Sequence, residues 1–237
     1  MGKRIILQRR GKGSLTYKVR AKAFPFKLGY PQKIEGPCKV IKLVNSPGHS
    51  APLAKIQCKG ITFYNIANYR LIEGQDLSIE GNEIKNGNIL KLSNIPLGTK
   101  VFNIESNPGD GGKLIRSGGS FARISKIEKT KIGIIFPSKK ERLFNPECRA
   151  TIGIIAADGR LDKPVMKAGK RFHMQKSKGK LWPRTSAVAM NVNDHPFGSG
   201  RGKNLTHGNK GKVPKANAPP GAKVGSLRPS RTGRKKR

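Results

Sequence analysis

The sequence predicts a mainly β protein made of two small barrels in tandem, flanked by long basic, largely irregular N- and C-terminal extensions. Three observations lead to this prediction. Short β-branched runs fill the middle of the 237-residue chain, turn dipeptides separate them, and basic residues concentrate at both ends. Short strands at such spacing, with almost no helical period, are typical of small β-barrels.

The predicted strands come from apolar runs that alternate with period two. Leu77 with Ile79, and Ile132 with Ile134, each place one face of a strand inward. Turn dipeptides between the runs favour short connections. The runs are residues 39–44, 77–79, 89–92, 101–104, 131–136 and 150–155, and the turns are Gly81-Asn82, Asn86-Gly87 and Asp158-Gly159.

The middle segment is long enough for two barrels, since about 130 residues supply roughly 60–70 residues to each core. We place the boundary at Ile95-Pro96, because a proline cannot continue a central strand. The first barrel is then predicted over residues 34–95 and the second over 96–166. The extensions are residues 1–33 and 167–237.

The charge is distributed unevenly along the chain. Residues 1–33 carry ten basic side chains and no acid, residues 34–166 carry twenty against twelve, and residues 167–237 carry nineteen against one. A compact domain with the total of +36 would repel itself, so the charge indicates a partner that neutralises it. Nucleic acid is the densest cellular anion, and we expect the extensions to fold against it.

A membrane is a weaker explanation of the charge. No stretch approaches the roughly 18 apolar residues that a spanning helix needs. Lys3 and Arg4 are followed by only three apolar residues before Gln8, which is too short for a signal peptide. We therefore expect neither a membrane partner nor a signal peptide.

The cysteines and histidines predict no disulfide, metal site or cofactor. Cys38, Cys58 and Cys148 are odd in number and widely spaced, which argues against a disulfide framework and a zinc knuckle and favours a reducing, cytosolic compartment. The four histidines show no metal-binding spacing. Mg²⁺ that accompanies folded RNA is the one ion that this interpretation leaves open.

A glycine-rich stretch at residues 107–113 resembles a phosphate-binding loop, but it lacks the first glycine and the final Ser/Thr of the Walker pattern. One interpretation is a tight inter-strand loop that needs a positive φ at Gly111 or Gly112. The other is phosphate contact, because Lys113, Arg116 and Arg123 follow and glycines let backbone amides approach an anion.

The adjacent Asp194 and His195 could form a general acid/base pair. Neighbouring side chains in an extended segment point apart, and Pro196 biases His195 toward extended backbone. No third residue orients the pair. We therefore expect His195 to contact RNA and the chain not to be an enzyme.

Eight separated motifs occur in a fixed order along nearly the whole chain. They are residues 46–54, 107–113, 150–153, 163–170, 182–184, 188–196, 217–225 and 231–234. In this order they resemble the uL-two family, ribosomal protein two of the large subunit. The opening residues 1–11 are similar to the archaeal and eukaryotic branch of that family and unlike the longer bacterial start.

The resemblance implies an OB-fold barrel followed by an SH3-like barrel, with extensions that penetrate ribosomal RNA. It also implies a structural constituent of the large subunit that supports assembly, subunit association and the architecture around the peptidyl-transferase centre. The implied partners are large-subunit rRNA, neighbouring ribosomal proteins and the small subunit at an intersubunit bridge, all on the cytoplasmic ribosome. A histidine once proposed to assist peptide-bond formation matches His195, whereas Ser199 replaces a family glycine.

The expected RNA contacts are arginines, lysines, an aromatic side chain and glycines that let backbone lie against RNA. Trp182 can stack on a base or sugar, and Arg184 can take a phosphate bidentately. For Arg149 and Lys163, surface exposure and RNA contact both stay open. The predicted contacts are Arg4, Arg9, Arg10, Lys113, Arg116, Arg123, Lys170, Arg171, Trp182, Arg184, Asn191, His195, Gly198, Gly200, Arg201, Lys223, Arg231 and Arg234.

Two functions from other classes compete with this interpretation. A ribonuclease would cleave RNA without ribosomes and would need a positioned acid/base constellation. A DNA-compacting protein would be indifferent to RNA fold, so duplex DNA would compete at moderate salt.

Overall fold

The computed structural model describes residues 3–32, 34, 36–81, 83–191 and 193–195. The chain divides into two compact units. One, which we call the β unit, is Ala21–Lys167. The other, which we call the terminal unit, combines Met1–Arg20 with Ala168–Arg237, of which residues 3–20 and most of 168–195 are described.

The β unit contains ten strands among its described residues, and their order shows a single extended sheet. The strands are β1 Gly36–Val44, β2 Leu53–Cys58, β3 Ile61–Ile66, β4 Asp76–Ile79, β5 Ile89–Lys91, β6 Lys100–Phe102, β7 Ala122–Ile127, β8 Ile132–Ile135, β9 Glu141–Phe144 and β10 Arg149–Ile152. The order across the sheet is β3-β2-β1-β4-β5-β10-β6-β7-β8-β9. Neighbouring strands are antiparallel except β4 and β5, which pair in parallel at Ile79 and Ile89. The last strand thus joins the two halves of the sheet.

Two hydrophobic cores lie along this sheet, and β5 contributes to both. Ile89 packs in a first core that also contains Val40 and Ile56. Its neighbour Leu90 packs in a second core with Ile134. A third group, which includes Phe102 at 0% exposure, contains residues from both halves. Burying each such side chain contributes about 1.5–3 kcal/mol, so apolar packing dominates the stability of this unit.

The period-two patterns place the expected residues inside. In β4, Leu77 and Ile79 are buried, whereas Asp76 is exposed and Ser78 is half-buried. In β8, Ile132 and Ile134 are both 0% exposed. The prediction of a mainly β fold is therefore confirmed.

The cysteines depart from the prediction. Cys38 and Cys58 form a disulfide, so the expectation of none was wrong. The reason is strand register: the two residues are directly opposite on β1 and β2, with Cα atoms 4.3 Å apart, although 20 residues separate them in sequence. Cys148 is a free thiol in the second core, and burial raises its pKa to about 11. Cysteine number and spacing therefore say little about compartment here.

The terminal unit has more regular secondary structure than the largely irregular extensions that the sequence predicts. It contains helices α1 Ile6–Gly11 and α2 Ala168–Ser177. Helix α2 is rich in good helix formers, and Gly179 just beyond it adopts φ +62°, which suits a helix end. Neither helix has a buried residue. Among the residues that the structure describes, no helix is long and apolar enough to cross a membrane.

Four short 3₁₀ turns complete the described secondary structure. They are Ala21–Ala23, Leu92–Asn94, Asp158–Arg160 and Ala187–Ala189. The turn at Leu92–Asn94 directly precedes Ile95, which is 1% exposed, and Pro96.

Candidate RNA interface

The glycine-rich loop at residues 106–113 is built around a buried carboxylate. Glu105 is 0% exposed, and its side chain points into the loop that follows it. The backbone N–H of Gly111 donates to Glu105 Oε1 at 3.1 Å, and that of Gly109 donates to Oε2 at 3.3 Å. The backbone N–H of Arg149 also donates to Oε2, at 2.9 Å. One carboxylate therefore ties the loop to strand β10.

Arg149 and the Glu105 carboxylate together form the anchor of this loop. Arg149 is 4% exposed, and its Nε and Nη2 donate to Glu105 Oε1 at 3.3 and 3.0 Å. Its Nη1 donates to the carbonyl of Pro31 at 2.8 Å, and its guanidinium lies 5.5 Å from the Tyr30 ring centroid. Of the two alternatives left open for this residue, surface exposure is wrong, and RNA contact is not tested. Arg149 is a structural cation.

Asp110 closes the loop from the solvent side. Its carboxylate accepts backbone N–H groups of Ser106 at 3.0 Å and Gly112 at 3.0 Å. Burial raises the pKa of Asp110, but these bonds, a further one from Asn107 and the Lys113 ammonium lower it below its ordinary value overall. Lys113 Nζ lies 3.5 Å from Asp110 and its side chain stays 63% exposed. The loop thus presents a cation whose backbone is fixed.

The glycines of the loop meet the prediction. Gly111 and Gly112 adopt φ +81° and +79°, the left-handed region that favours glycine. A Cβ at Gly112 would lie 2.4 Å from the carbonyl oxygen of Asn103. The tight inter-strand loop is confirmed, and phosphate contact by the same loop stays a prediction.

Arg116 is only partly available to a ligand. Its Nε donates to Asn103 Oδ1 at 2.8 Å, and its Nη2 contacts the Gly112 carbonyl. Burial lowers its pKa from the ordinary value, although Tyr30 and Asp110 act in the opposite direction. This arginine therefore braces the loop while a minor part of its side chain stays accessible.

A buried polar network continues from Arg116 into the sheet. Asn103 Nδ2 donates to Asn65 Oδ1 at 2.9 Å, and Asn65 Nδ2 donates to Thr151 Oγ1 at 3.1 Å. The Tyr30 hydroxyl donates to the Asn103 carbonyl at 2.6 Å, and burial raises the pKa of that phenol above its ordinary value. A fully bonded network of this kind fixes position, because an unpaired buried polar group is costly.

Arg123 lies on strand β7 and is exposed. Its guanidinium lies 5.6 Å from the Phe121 ring centroid. Lys100, its register partner on β6, places Nζ 4.9 Å from the same ring. Two cations therefore flank one aromatic ring on this surface. Lys163, for which surface exposure and RNA contact both stayed open, is exposed.

In the terminal unit, Trp182 lines a cavity of about 170 Å³ with a second aromatic side chain, Phe172. Lys176 also lines it and places Nζ 5.4 Å from the Phe172 ring centroid. Aromatic rings beside lysines suit a stacked base and its phosphate. The predicted contacts Lys170 and Arg171 lie on α2 and are exposed.

A second cavity of about 340 Å³ in the terminal unit collects other predicted residues. Arg9 and Asn191 line it. Arg9 Nε donates to the carbonyl of Arg4 at 2.9 Å, which fixes its direction. Arg10 is half-buried, whereas Arg4 and Arg184 are exposed.

His195 is 1% exposed, and its backbone N–H donates to the Asn191 carbonyl at 3.2 Å. The Asp194 carboxylate, also beside this cavity, lies 3.7 Å from Lys3 Nζ. The adjacent acid is thus engaged by a lysine.

Several expected contacts lie outside the described residues. They are Gly198, Gly200, Arg201, Lys223, Arg231 and Arg234. Within the described part of the chain, no group of three or more His, Cys, Asp or Glu side chains could hold a metal ion.

Sequence reasoning missed the anchor of the loop. Glu105 follows an apolar run and reads as an ordinary strand end, and Arg149 reads as one of many surface cations. No local signal in the sequence marks the pair, because its two residues are 44 positions apart.

Comparison with known proteins identifies the family of the chain. The family described as Ribosomal Proteins L2, C-terminal domain matches residues 85–216. The large ribosomal subunit protein uL2 of Archaeoglobus fulgidus is 44% identical over 238 residues, with 98% of this chain and 99% of that protein covered. That of Methanococcoides burtonii is 41% identical over 240 residues, with 99% and 100% covered. That of Methanothermobacter thermautotrophicus is 39% identical over 250 residues, with both chains covered completely.

A family match over more than half of the chain and full-length relatives at this identity leave no other assignment. The chain belongs to the archaeal type of the uL2 family, a structural component of the large ribosomal subunit in the cytoplasm and not a family of enzymes.

Proposed function

We propose that the chain binds large-subunit rRNA and supports assembly, subunit association and the architecture around the peptidyl-transferase centre. The observation that carries this proposal is the glycine loop, in which Glu105 and Asp110 hold the backbone while Lys113 stays exposed. Because the loop amides already donate to these two carboxylates, the exposed Lys113 ammonium is the group of this loop that would contact a phosphate. A loop fixed before binding loses little entropy when RNA arrives.

The proposed architecture is an OB-fold barrel at residues 34–95 and an SH3-like barrel at 96–166. Two cores support two barrels, because the first core draws on residues from Tyr30 to Ile89 and the second on residues from Leu90 to Ile152, a division six residues before the proposed boundary at Ile95. The extensions 1–33 and 167–237 would then supply most of the charge that neutralises phosphate.

The proposed partners are large-subunit rRNA, neighbouring ribosomal proteins and the small subunit at an intersubunit bridge. The relatives are named as proteins of the large ribosomal subunit, which supports the first two. Exposed cations on both units, including Arg123, Lys170 and Arg171, are proposed to contact RNA. Mg²⁺ near the chain would be bound by the RNA.

The decisive experiment is sedimentation of a lysate at high salt. We expect the chain to remain with the large subunit, because stacking and hydrogen bonds in a folded interface persist when salt weakens the phosphate contacts. A chain that is released to the top of the gradient while the other large-subunit proteins stay bound would contradict the proposal. Purified chain that loses its rRNA to duplex DNA at moderate salt would instead indicate a DNA-compacting protein.

A further inference from the structure

A cleft of about 280 Å³ opens on the β unit beside strands β6 and β10. Tyr69, Asn86, Thr99 and Lys100 line it together with residues 152–154. Its volume lies just below the range of about 300–1,000 Å³ typical of small-ligand sites. The cleft therefore suits one planar group and is too small for a helix.

Backbone hydrogen bonds fix the walls of this cleft. The Gly153 N–H donates to the Lys100 carbonyl at 2.8 Å, and the Tyr69 N–H donates to the Ile154 carbonyl at 2.8 Å. Gly153 adopts φ +118°, and a Cβ there would lie 3.4 Å from Asn86 Oδ1. Tyr69, Asn86 and Lys100 thus all lie against residues 152–154, so the cleft is formed before any ligand binds.

The walls combine three kinds of chemistry. The Tyr69 side chain is 54% exposed, and the Arg70 guanidinium lies 5.2 Å from its ring centroid. A cation covers one face of the ring, so a base would stack on the opposite face. The Asn86 amide can both donate and accept, as the edge of a base requires.

The surroundings favour an anion. None of the described residues that line the cleft is acidic. Lys100 lies in the wall and is the register partner of Arg123, and both cations flank the Phe121 ring. A protein side chain could fill the same volume, but a nucleotide alone combines a ring, a polar edge and a phosphate.

We propose that this cleft receives one unpaired nucleotide of the large-subunit rRNA. The base stacks on Tyr69, its edge meets the Asn86 amide, and its phosphate lies beside Lys100. Single-stranded RNA is recognised in this way, by splayed bases on aromatic rings. The inference rests on the proposed rRNA binding and adds a site that reads a base, whereas the glycine loop would contact only phosphate.

The test compares full-length chains in filter binding to a transcript of the large-subunit rRNA from the same organism. Tyr69→Ala should weaken binding about 5- to 100-fold, the loss expected when one aromatic–base stack is removed. Tyr69→Phe keeps the ring and should stay within about twofold of the wild type. Ile72→Ala is the matched control, because Ile72 is 69% exposed and does not line the cleft.

Two further measurements separate base from charge. Chemical probing of the bound rRNA should show one unpaired nucleotide that gains reactivity in Tyr69→Ala but not in Ile72→Ala. Lys100→Gln should lower the slope of log K against log salt by about 0.7, the value for one phosphate on a single strand. Far-UV circular dichroism verifies that each variant is folded, and Lys100→Gln tests the cleft if Tyr69→Ala does not fold.

The outcomes separate this inference from the proposed function. Wild-type chain that fails to bind the transcript would contradict both. Wild-type chain that binds, with Tyr69→Ala equal to Ile72→Ala, would overturn the cleft alone. A benzophenone amino acid at position 69 should cross-link to rRNA in assembled particles, and a cross-link to a protein instead would assign the cleft to a protein partner and overturn the proposal.

Discussion

The β unit and the terminal unit manage positive charge in opposite ways. Residues 34–166 hold twelve of the thirteen acids, and several of them pair with specific cations. Glu105 forms an ion pair with the buried Arg149, and Asp110 forms one with Lys113. Glu80 and Glu147 both form ion pairs with Lys91. The β unit therefore positions its cations with its own acids.

The terminal unit has almost no acid with which to do this. In its described part, Asp194 is the single acid, and it pairs with Lys3. Helices α1 and α2 bury no residue, so their cations are held mainly by local backbone structure. We therefore propose that the β unit presents a preformed surface to RNA, whereas the terminal unit needs an anionic partner to neutralise its charge.

The largest expected effect comes from removing the terminal unit. A chain of residues 21–167 keeps 24 basic and 12 acidic side chains, so its net charge falls from +36 to +12. We expect its affinity for large-subunit rRNA at physiological salt to fall by about 10³-fold or more, because each lost phosphate contact also lowers the salt slope by about 0.7–0.9. Filter binding across a salt series measures both quantities.

The cut is placed at residue 21 because Leu28 and Tyr30 belong to the cores of the β unit. Circular dichroism should therefore show an unchanged β signal in the truncated chain. A truncated chain that retained the full salt slope would contradict the comparison between the units. A chain of residues 1–167 serves as the control that separates the two termini.

The second effect concerns the anchor of the β unit. Glu105→Ala leaves the buried Arg149 with only a longer ion pair to Glu80, at 3.8 Å, and removes the acceptor of two loop amides. We expect the free energy of unfolding to fall by about 3–5 kcal/mol, as for other buried pairs that lose one partner. Urea denaturation followed by circular dichroism measures it.

Glu83→Ala is the matched control for that experiment. Its carboxylate pairs with Lys85 at 2.7 Å, but both side chains are more than 60% exposed. Exposed pairs contribute about 0–1 kcal/mol, so the control should hardly move. Equal losses of the free energy of unfolding in the two variants would show that the buried Glu105–Arg149 pair stabilises the chain no more than an exposed ion pair does.

These contrasts explain how much could be predicted from the sequence. Period-two runs such as Ile132 and Ile134 predicted buried faces correctly, because alternation is a local property of a strand. The Cys38–Cys58 pair and the Glu105–Arg149 pair could not be predicted, since they join residues that are 20 and 44 positions apart in sequence. The cleft at Tyr69 needs four separate segments of the chain, and no local pattern marks it.

The third effect tests stacking in the terminal unit. Trp182 is half-buried and shares its cavity with Phe172. Trp182→Ala should weaken rRNA binding by about 1–3 kcal/mol, whereas Trp182→Phe should restore most of it. Leu15→Ala in the same unit is a control, because Leu15 is 88% exposed and does not line the cavity. Equal binding by Trp182→Ala and the control would exclude a stacked base at this place.

A smaller effect separates the loop cation from ordinary surface lysines. Lys113→Gln should lower the salt slope of rRNA binding by about 0.7–0.9, while Lys129→Gln on the β7–β8 turn should leave it unchanged.

The glycine-rich loop should also respond to acid. Because the pKa of Asp110 is lower in the folded chain than its ordinary 3.8, its contribution is complete at neutral pH and is lost as pH falls below about 3.8.

Amide hydrogen exchange of Gly112 measures this pH response, since that N–H donates to Asp110. Asp110→Asn removes the charge and should abolish the response. Protection that stayed constant from pH 6 to pH 3 in the wild type would contradict the role of Asp110.

The smallest expected effect is on the chemical step of peptide-bond formation. His195 is buried, and the adjacent Asp194 carboxylate forms an ion pair with Lys3. The two side chains are therefore not arranged as a general acid/base pair. His195→Ala should weaken assembly or subunit joining by about 1 kcal/mol for each lost hydrogen bond. His173→Ala, on the exposed surface of α2, is the matched control. Single-turnover peptide-bond formation on fully assembled ribosomes should stay within a few-fold of normal, and a pH-dependent loss of about 10²-fold or more, the contribution of a general base, would reverse this assignment.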